Sequence, residues 1–318
     1  MPQITVVGSL NMDFVVSVDR LPSPGETVLG RDFRMFPGGK GANQACAAGR
    51  LGGRSVNTRM IGRVGHDIFA DHLKASLAAA GVDVGHVHAT RSQSTGVALI
   101  WVDRSGQNSI VVASGANHAL FASEVPAMRS ALRGSQFALF QLESPLDTVS
   151  AALQLARAEG VQTILDPAPA QPLTLELLKS VDILTPNETE ASILLGLKPG
   201  AIAVADAPAI AGRLREMGPK RIVLKLGEQG CFYLDGEREI QSPGFSVKAR
   251  DTTGAGDTFN AALAVALAQE YPLEAALRFA NAAAAISVTR VGAQASIPTR
   301  EEVAAFLASR WGEERALI

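Results

Sequence analysis

Residues 137–165 read FALFQLESPLDTVSAALQLARAEGVQTIL, and this segment determines the fold class. It predicts a buried strand at Phe137–Gln141, a helix at Leu146–Glu159 and a second strand at Val161–Leu165. A strand, a helix and a strand joined by short junctions form the unit of a parallel sheet. The same alternation recurs in predicted strands at Gln3–Val7, Asn57–Ile61, Asp182–Leu184 and Ile222–Leu226, and in predicted helices at Gly41–Leu51, His66–Ala80 and Pro208–Met217. The sequence therefore predicts an α/β fold, with a doubly wound, mostly parallel central sheet flanked by helices.

Two segments, residues 12–36 and 95–113, interrupt this alternation. They contain strand-like runs with no helix between them, at Phe14–Val18, Val28–Phe36, Thr95–Val102 and Asn108–Val112, the last two joined by a turn at Asp103–Gly106. We expect a small antiparallel sheet that acts as a lid over the active-site edge and excludes water. After Thr252 the chain is predicted to be helical, at Ala255–Gln269, Leu273–Thr289 and Arg300–Ser309. The prediction is one domain over residues 1–318.

The composition excludes several functional classes. Apolar residues make up 47% of the 318, enough for a sizeable core, and α/β units of this length are common as single domains. The formal net charge is −2 without a block of like charge, so we expect neither nucleic-acid nor membrane-surface binding. The N-terminus does not resemble a signal peptide, and we expect no transmembrane helix. Cys46 and Cys231 lack CxxC spacing, which favours a reducing cytoplasm and no disulfide.

The segment Asp251-Thr-Thr-Gly-Ala-Gly-Asp-Thr-Phe-Asn260 carries the strongest chemical signal. Gly254, Ala255 and Gly256 stand where a helix is predicted to begin, and free N–H groups at a helix start bind anions. Asp257 in the same turn can accept a proton from an attacking hydroxyl. Phosphoryl transfer needs this combination of an aligned nucleophile and a held phosphoryl group. The alternative is that Asp257 is only a favourable acid in the first turn of a helix.

Carboxylates and amides elsewhere indicate a polyol site. Asn11, Asp13, Asn43 and Glu143 supply groups that form paired hydrogen bonds with hydroxyls, and Glu143 follows a predicted strand, where open α/β sheets bind ligands. Asp13 is alternatively a turn acid, and Asn43 a solvated helix residue. Lys40 is not a P-loop lysine, because no Ser or Thr follows it and the eight-residue pattern is missing.

Six motifs resemble the ribokinase (PfkB) family of carbohydrate kinases. The segment from Asp251 resembles the C-terminal family signature, and Phe36–Gln44 resembles the N-terminal one. Further matches are Gly8–Asp13, Gln141–Ser144, Thr185–Glu190 and Asp166–Pro169. Many relatives have an amide where this chain has Asp166, so we assign that residue no contact. The resemblance extends from Ile4 to Phe306.

The resemblance implies an ATP:ribose 5-phosphotransferase. It implies Asp257 as the catalytic base, with an anion hole formed by the backbone of Gly254, Ala255 and Gly256. Asp13 is implied to bind two sugar hydroxyls. The other implied sugar-binding residues are Asn11, Gly39, Lys40, Gly41, Asn43 and Glu143.

The resemblance also implies sites for ATP and two cations. Asn187 and Glu190 match a motif that places Mg²⁺ and phosphate through water, although they are equally an N-cap and its capping-box partner. ATP is implied to contact Asn187, Lys225, Gly227, Gly230, Gly256 and Asn281. Lys225 replaces a frequent Thr and alternatively points away, and Asn281 is alternatively a solvated helix residue. A potassium ion is implied at Asp251, Thr253, Ser287, Arg290, Gly292 and Ser296.

Other functions remain open at this stage. A kinase of the same fold that acts on deoxyribose, another sugar or a nucleoside is the nearest alternative. A catalytically silent sugar sensor is an alternative from another class. A dinucleotide dehydrogenase is disfavoured, because no GxGxxG follows the first strand. Exposed lid edges invite pairing, and the family commonly dimerises through the lid, so we expect a homodimer in the cytoplasm.

Overall fold

The structure is a computed structural model that describes residues 1–104 and 107–314. Its strands are β1 (Gln3–Val7), β2 (Asn11–Ser17), β3 (Asp32–Gly38), β4 (Asn57–Gly65), β5 (Val82–Thr90), β6 (Gly96–Val102), β7 (Asn108–Ala113), β8 (Phe137–Phe140), β9 (Gln162–Leu165), β10 (Ile183–Leu184), β11 (Arg221–Lys225), β12 (Cys231–Leu234) and β13 (Glu239–Ser242). Its α-helices are α1 (Lys40–Gly52), α2 (Ile68–Ala79), α3 (Arg129–Leu132), α4 (Leu146–Ala158), α5 (Leu175–Leu178), α6 (Glu188–Leu194), α7 (Ala207–Glu216), α8 (Ala255–Ala268), α9 (Leu273–Ser287), α10 (Ala293–Ser296) and α11 (Arg300–Glu314).

A large central sheet confirms the predicted fold class. Its strand order is β13-β12-β11-β10-β9-β8-β1-β4-β5. The strands from β5 to β11 in this order pair in parallel, while β12 and β13 add an antiparallel edge. The chain moves from β1 through β4 to β5 on one side, and from β8 to β11 on the other. The strand order therefore reverses between β1 and β8, which is where open α/β sheets form a ligand crevice.

Helices cover both faces of this sheet. Alternate residues of β1 point to opposite faces, so Ile4 and Val6 join a core that includes α1, α8 and α9. Val7 and Phe140 join a second core with α4 and α7. Because both faces are buried, the strands are almost continuously apolar. This explains why they were recognisable in the sequence.

A separate four-stranded sheet has the order β3-β2-β6-β7. The prediction that it is antiparallel is wrong for one pair: β2 and β6 run parallel, while β2–β3 and β6–β7 are antiparallel. The reason is that β2 follows β1 and β6 follows β5, so both leave the carboxyl edge of the parallel sheet in the same direction. The predicted strand Val28–Phe36 begins only at Asp32. Within the predicted turn Asp103–Gly106, Ser105 and Gly106 lie outside the described residues.

Two further sequence expectations concern cysteines and membranes. Cys46 and Cys231 are both buried and free. In the part of the chain that the structure describes, no helix combines the length and apolarity needed to cross a bilayer.

Candidate active site

Polar segments collect at the carboxyl edge of the central sheet. The end of β11 and the turns after β9 and β10 place Lys225, Asp166 and Asn187 around one cavity of about 680 Å³. The starts of α1 and α8 add Lys40 and Asp257 to its lining. Parallel strands end at one edge, so residues distant in sequence meet here. The cavity is large enough for a nucleotide-sized ligand.

The residues of the predicted anion site lie at the start of α8. Gly254 precedes the helix with φ of 75°, in the left-handed region that favours glycine. Within residues 1–104 and 107–314, no side-chain hydrogen bond caps the helix there. The Ala255 N–H donates to the Thr252 carbonyl oxygen at 3.2 Å. The N–H groups of Gly256 and Asp257 follow in the same turn, where an α-helix presents donors to an anion. Gly254, Ala255 and Gly256 all line the cavity.

Asp257 is buried in the first turn of α8 and held by two amides. Asn43 Nδ2 donates to its Oδ2 at 3.0 Å, and Gln44 Nε2 donates to its Oδ1 at 3.1 Å. Burial raises the pKa of Asp257, the Lys40 ammonium lowers it and the Asp166 carboxylate raises it, to a value of about 6. A carboxylate oriented beside a cavity with a pKa near neutrality is suited to accept a proton. A helix-stabilising acid alone does not require these contacts.

Asp13 lies on β2 rather than in a turn, so its interpretation as a turn acid is wrong. Its carboxylate occupies the space beside Gly38, where an added Cβ would come within 2.1 Å of Oδ2. Burial raises the pKa of Asp13, and the carboxylates of Glu143 and Asp257 raise it further, to about 7. Three acidic groups thus act on one another at this end of the site.

The start of α1 brings the other sugar-site candidates together. Glu143 Oε2 accepts the Lys40 backbone N–H at 3.0 Å. Gly39 has φ of 87°, and a Cβ there would lie 2.7 Å from the Asn11 nitrogen, so only glycine allows this approach of α1 to β2. Gly41 is packed as tightly, because a Cβ added there would lie 2.5 Å from the Ser9 nitrogen.

Two asparagines among the sugar-site candidates are buried. Asn11 Oδ1 accepts from Asn117 Nδ2 at 2.7 Å. Asn43 is buried, which excludes the solvated-helix interpretation, and its Oδ1 has no hydrogen-bond partner in residues 1–104 and 107–314. An unpartnered buried acceptor next to the Asp257 carboxylate is available to a ligand hydroxyl.

Lys40 places a positive charge among these acids. Burial lowers the pKa of its ammonium, but the carboxylates of Asp257, Asp166, Glu143 and Glu190 outweigh burial and raise the pKa above its ordinary value. Lys40 therefore stays charged at neutral pH.

Asn187 and Glu190 form a complete capping box at the start of α6. Asn187 Oδ1 accepts the Glu190 N–H at 2.8 Å, and Glu190 Oε2 accepts the Asn187 N–H at 2.8 Å. Both residues also line the cavity. Burial raises the pKa of Glu190, although the Lys225 ammonium opposes this. The capping role is therefore confirmed, and it leaves both residues in the cavity wall.

The remaining nucleotide-site candidates lie on one side of the cavity. Gly227 and Gly230 bound the turn between β11 and β12 and line the cavity. Asn281 is buried, so its interpretation as a solvated residue is wrong. Its Nδ2 donates to the Ser242 carbonyl oxygen at 3.2 Å. Lys225 does not point away, because it lines the cavity and pairs with Asp166 at 2.9 Å.

The potassium candidates cluster around the loop that precedes α8. Asp251 Oδ2 accepts the Gly292 N–H at 2.8 Å, and its Oδ1 accepts the Thr253 N–H at 2.9 Å. Burial raises the pKa of Asp251, but these N–H donors outweigh it and lower the pKa. The hydroxyls of Ser287 and Ser296 donate to carbonyls of their own helices, and the Arg290 guanidinium pairs with Glu302.

The loop of Gly292 lies against the anion site, since a Cβ on Gly254 would be 3.4 Å from the Ala293 Cα. Over the described residues, no group of three or more His, Cys, Asp or Glu side chains is arranged to hold a metal ion. Any cation here therefore needs carbonyls, water or phosphate oxygens among its ligands.

Several polar residues at the site were not recognised from the sequence. Gln44 contacts both Asp257 and Asp166, and Asn117 contacts the Leu10 N–H at 2.8 Å as well as Asn11. The spacing of Lys40, Asn43 and Gln44 puts them on one face of a helix, which was an available signal for Gln44. Asn117 comes from a short 3₁₀ helix and carried no such signal.

Comparison with known proteins agrees with this geometry. A model of the pfkB family of carbohydrate kinases matches residues 1–300. The ribokinase of Haemophilus influenzae is 44% identical over 307 residues, covering 96% of this chain and 98% of that protein. The ribokinase of Bacillus subtilis is 42% identical over 307 residues, covering 96% of this chain and all of that protein (100%). The structure of Arabidopsis thaliana ribokinase complexed with ribose and ATP superposes with a TM-score of 0.87 at 34% identity, covering 96% of this chain and 98% of that one.

Proposed function

The chain belongs to the pfkB family of carbohydrate kinases, and we propose that it transfers the γ-phosphoryl group of ATP to the O5 hydroxyl of D-ribose, giving ribose 5-phosphate and ADP. The observation that carries this proposal is the buried Asp257 carboxylate in the first turn of α8, oriented by Asn43 and Gln44 beside an anion site. The two ribokinase relatives above 40% identity support the choice of sugar.

The sugar is bound through hydrogen bonds to acids and amides. Asp13 accepts two ribose hydroxyls, and Asn11, Asn43 and Glu143 supply further polar contacts. Because burial and neighbouring carboxylates raise the pKa of Asp13, its ionised form is costly when the site lacks a sugar. Hydroxyl donors stabilise a carboxylate, so the ribose hydroxyls offset that cost. Gly39, Lys40 and Gly41 bring the start of α1 up to the sugar.

Proton transfer and phosphoryl transfer are coupled at Asp257. The carboxylate accepts the O5 proton, the oxygen forms a bond to the γ-phosphorus, and the bond to the bridging oxygen of ADP breaks in line. The backbone at Gly254, Ala255 and Gly256 surrounds the transferring group with donors and the positive end of the α8 dipole. ATP lies along the cavity past Asn187, Lys225, Gly227, Gly230 and Asn281.

Magnesium and potassium are proposed cofactors. Glu190 and Asn187 present oxygen atoms in the cavity wall, which suits Mg²⁺ held partly through water. When bound, Mg²⁺ neutralises charge on the phosphate oxygens. Asp251 accepts hydrogen bonds from Thr253 and from Gly292, and so connects the loop before α8 with the loop before α10 beside the anion site. This arrangement suits a monovalent cation. The proposed potassium ligands are Asp251, Thr253, Ser287, Arg290, Gly292 and Ser296, the Arg290 contact coming from its carbonyl.

The four-stranded sheet is proposed to act as the lid of a single kinase domain spanning residues 1–318. It carries Asn11 and Asp13 on β2, so its position affects the sugar site directly. Its strands also expose large apolar side chains, which are Phe33, Met35, Leu99, Ile110, Val111 and Val112. Such a patch favours pairing with a second copy, and we propose a homodimer through this sheet. Free buried Cys46 and Cys231 support a cytoplasmic location.

A coupled ADP-release assay tests the proposed reaction. The panel contains ribose, deoxyribose, other sugars and nucleosides, each with ATP and Mg²⁺, with and without K⁺. We expect the highest kcat/KM for ribose, and a fall in kcat of about 10²–10⁴-fold in Asp257→Asn. A much higher kcat/KM for another substrate overturns the choice of ribose. Ribose binding without ADP release indicates a sensor, and a variant that keeps more than about a tenth of wild-type kcat overturns the base assignment.

A further inference from the structure

Lys225 and Asp166 form a buried ion pair in the cavity wall, along the proposed path of ATP. Lys225 Nζ lies 2.9 Å from Asp166 Oδ1, and the two side chains are 11% and 3% exposed. Removing one partner of a buried pair leaves an uncompensated charge, so such pairs are costly features. Lys225 is held at the end of β11 by its N–H bond to the Pro186 carbonyl oxygen at 2.8 Å.

The Lys225 ammonium faces the anion site. A Cβ placed on Gly256 would lie 3.3 Å from Lys225 Nζ, so the ammonium lies against the middle residue of the Gly254–Gly256 turn. An ammonium has three donors, and Asp166 takes one of them. The remaining N–H groups lie at the cavity, where the transferring phosphoryl group is proposed to pass.

Gln44 connects this ion pair to the base. Its Nε2 donates to Asp166 Oδ2 at 3.1 Å and to Asp257 Oδ1 at 3.1 Å, while its Oε1 accepts from Gln141 Nε2 at 2.7 Å. Two carboxylates on one side and a donor on the other fix the orientation of this amide. A continuous chain of contacts therefore runs from Lys225 through Asp166 and Gln44 to Asp257.

We propose that Lys225 binds the γ-phosphoryl group of ATP. Asp166 and Gln44 are then positioning residues that hold the Lys225 ammonium and the Asp257 carboxylate in fixed positions relative to each other. The proposal rests on the proposed function. It adds a side-chain cation to an anion site otherwise made of backbone donors. It also gives Asp166, whose carboxylate sets the Lys225 position, a role in orienting the base.

The test compares wild type with Asp166→Asn/Lys225→Met, which removes both charges together because Lys225→Met alone leaves a buried unpaired carboxylate. We expect kcat to fall about 10–1,000-fold, by analogy with the loss of one donor to a transition-state oxyanion, with the KM for ribose nearly unchanged. ATP affinity, measured by calorimetry, is expected to fall about tenfold or more, and ADP affinity to change less than about twofold. The single variant Lys225→Arg, which keeps both charges of the pair, is expected to retain a higher kcat than the double variant.

A matched control is Asp182→Asn/Lys220→Met. Lys220 pairs with buried Asp182 at 2.6 Å just before the other end of β11, and its removal is expected to leave kcat and ATP affinity unchanged. The positioning role has a separate readout in Asp166→Asn. The Asp166 carboxylate raises the pKa of Asp257, so the acidic limb of the kcat–pH profile is expected to move to lower pH.

Three results overturn the inference: a kcat within about twofold of wild type in the double variant, an equal loss of ATP and ADP affinity, or an unmoved acidic limb in Asp166→Asn. Circular dichroism confirms that each variant folds, and Asp166→Asn/Lys225→Gln, which also removes both charges, serves if the first double variant does not fold. If wild type fails to phosphorylate ribose, the proposed function fails, while the comparison of ATP with ADP binding still decides the role of Lys225.

Discussion

Asp13→Asn tests whether the sugar end of the site is electrostatically strained before sugar binds. Asp13 packs against Gly38, just before the start of α1, and the carboxylates of Glu143 and Asp257 act on its charge. Burial and these two charges raise the pKa of its carboxyl from 3.8 to about 7. The amide has nearly the same shape and cannot ionise, so the variant removes the charge and little else.

The magnitude follows from proton linkage. Between pH 3.8 and about 7 the folded state keeps a proton on Asp13 that the unfolded chain has lost. The folded state therefore binds more protons, and the stability of wild type falls by about 1.4 kcal/mol per pH unit as pH rises through this window. Above about pH 7 the loss of wild-type stability caused by ionised Asp13 no longer changes with pH. From pH 5 to pH 8 the unfolding free energy of Asp13→Asn is thus expected to gain about 2–3 kcal/mol relative to wild type.

Urea unfolding of both proteins at pH 5, 6, 7 and 8 measures this gain from the midpoints and a common slope. Any packing difference between Asp and Asn adds a constant and does not affect the pH dependence. The reasoning is refuted if the stability difference is the same at pH 5 and pH 8. The variant is also expected to bind ribose more weakly, because a charged acceptor for two hydroxyls is lost.

Asp13 and Asp257 are expected to set the pH dependence of activity, and exposed residues of β7 are expected to form the proposed dimer interface. The kcat/KM for ribose at saturating ATP is expected to fall about tenfold per unit just below pH 7 and more steeply below pH 6, as first Asp13 and then Asp257 takes up a proton. A flat profile from pH 5 to pH 8 contradicts this. For the proposed homodimer, Ile110→Glu, at a 52% exposed position of β7, is expected to give a monomer in sedimentation, whereas Leu175→Glu, at a 55% exposed position on α5, is expected to leave the dimer intact. A dimer that survives Ile110→Glu excludes the proposed interface.

The central parallel strands were predictable because burial on both faces leaves an apolar run, whereas the buried antiparallel strand β12 was not predicted. The predicted strand Gln3–Val7 matches β1 at both ends. The predicted strand Phe137–Gln141 matches β8, which ends one residue earlier, at Phe140. The strand β5 (Val82–Thr90) was missed, because it is an edge strand with polar residues facing solvent and no apolar run. The parallel pairing of β2 and β6 was also missed, since strand direction depends on where each strand leaves the large sheet.

The backbone part of the site was predictable and the side-chain network was not. Gly254 and Asp257 act through local chain geometry, which a motif records directly. Gln44 meets Asp166 across 122 positions and Asp257 across 213. In the sequence, a buried amide or acid such as Gln44 or Asp166 looks the same as a solvent-exposed one, because only the fold determines which polar side chains are buried. The direction of the Lys225 side chain was likewise not predictable, because it depends on the ion pair with Asp166.

The distribution of charge explains how a site rich in acids can receive a triphosphate. Among the described residues, the carboxylates of Asp13, Glu143, Asp166, Glu190 and Asp257 lie near the ammonium groups of Lys40 and Lys225, and the acids Glu188 and Glu228 also line the cavity. Acids at the sugar end suit hydroxyl donors, whereas the phosphate end offers Lys225 and the start of α8. Glu190 and Asp166 beside that end repel a bare nucleotide anion. The proposed Mg²⁺ would reduce this repulsion, so we expect the affinity for ATP to be higher with Mg²⁺ than without it.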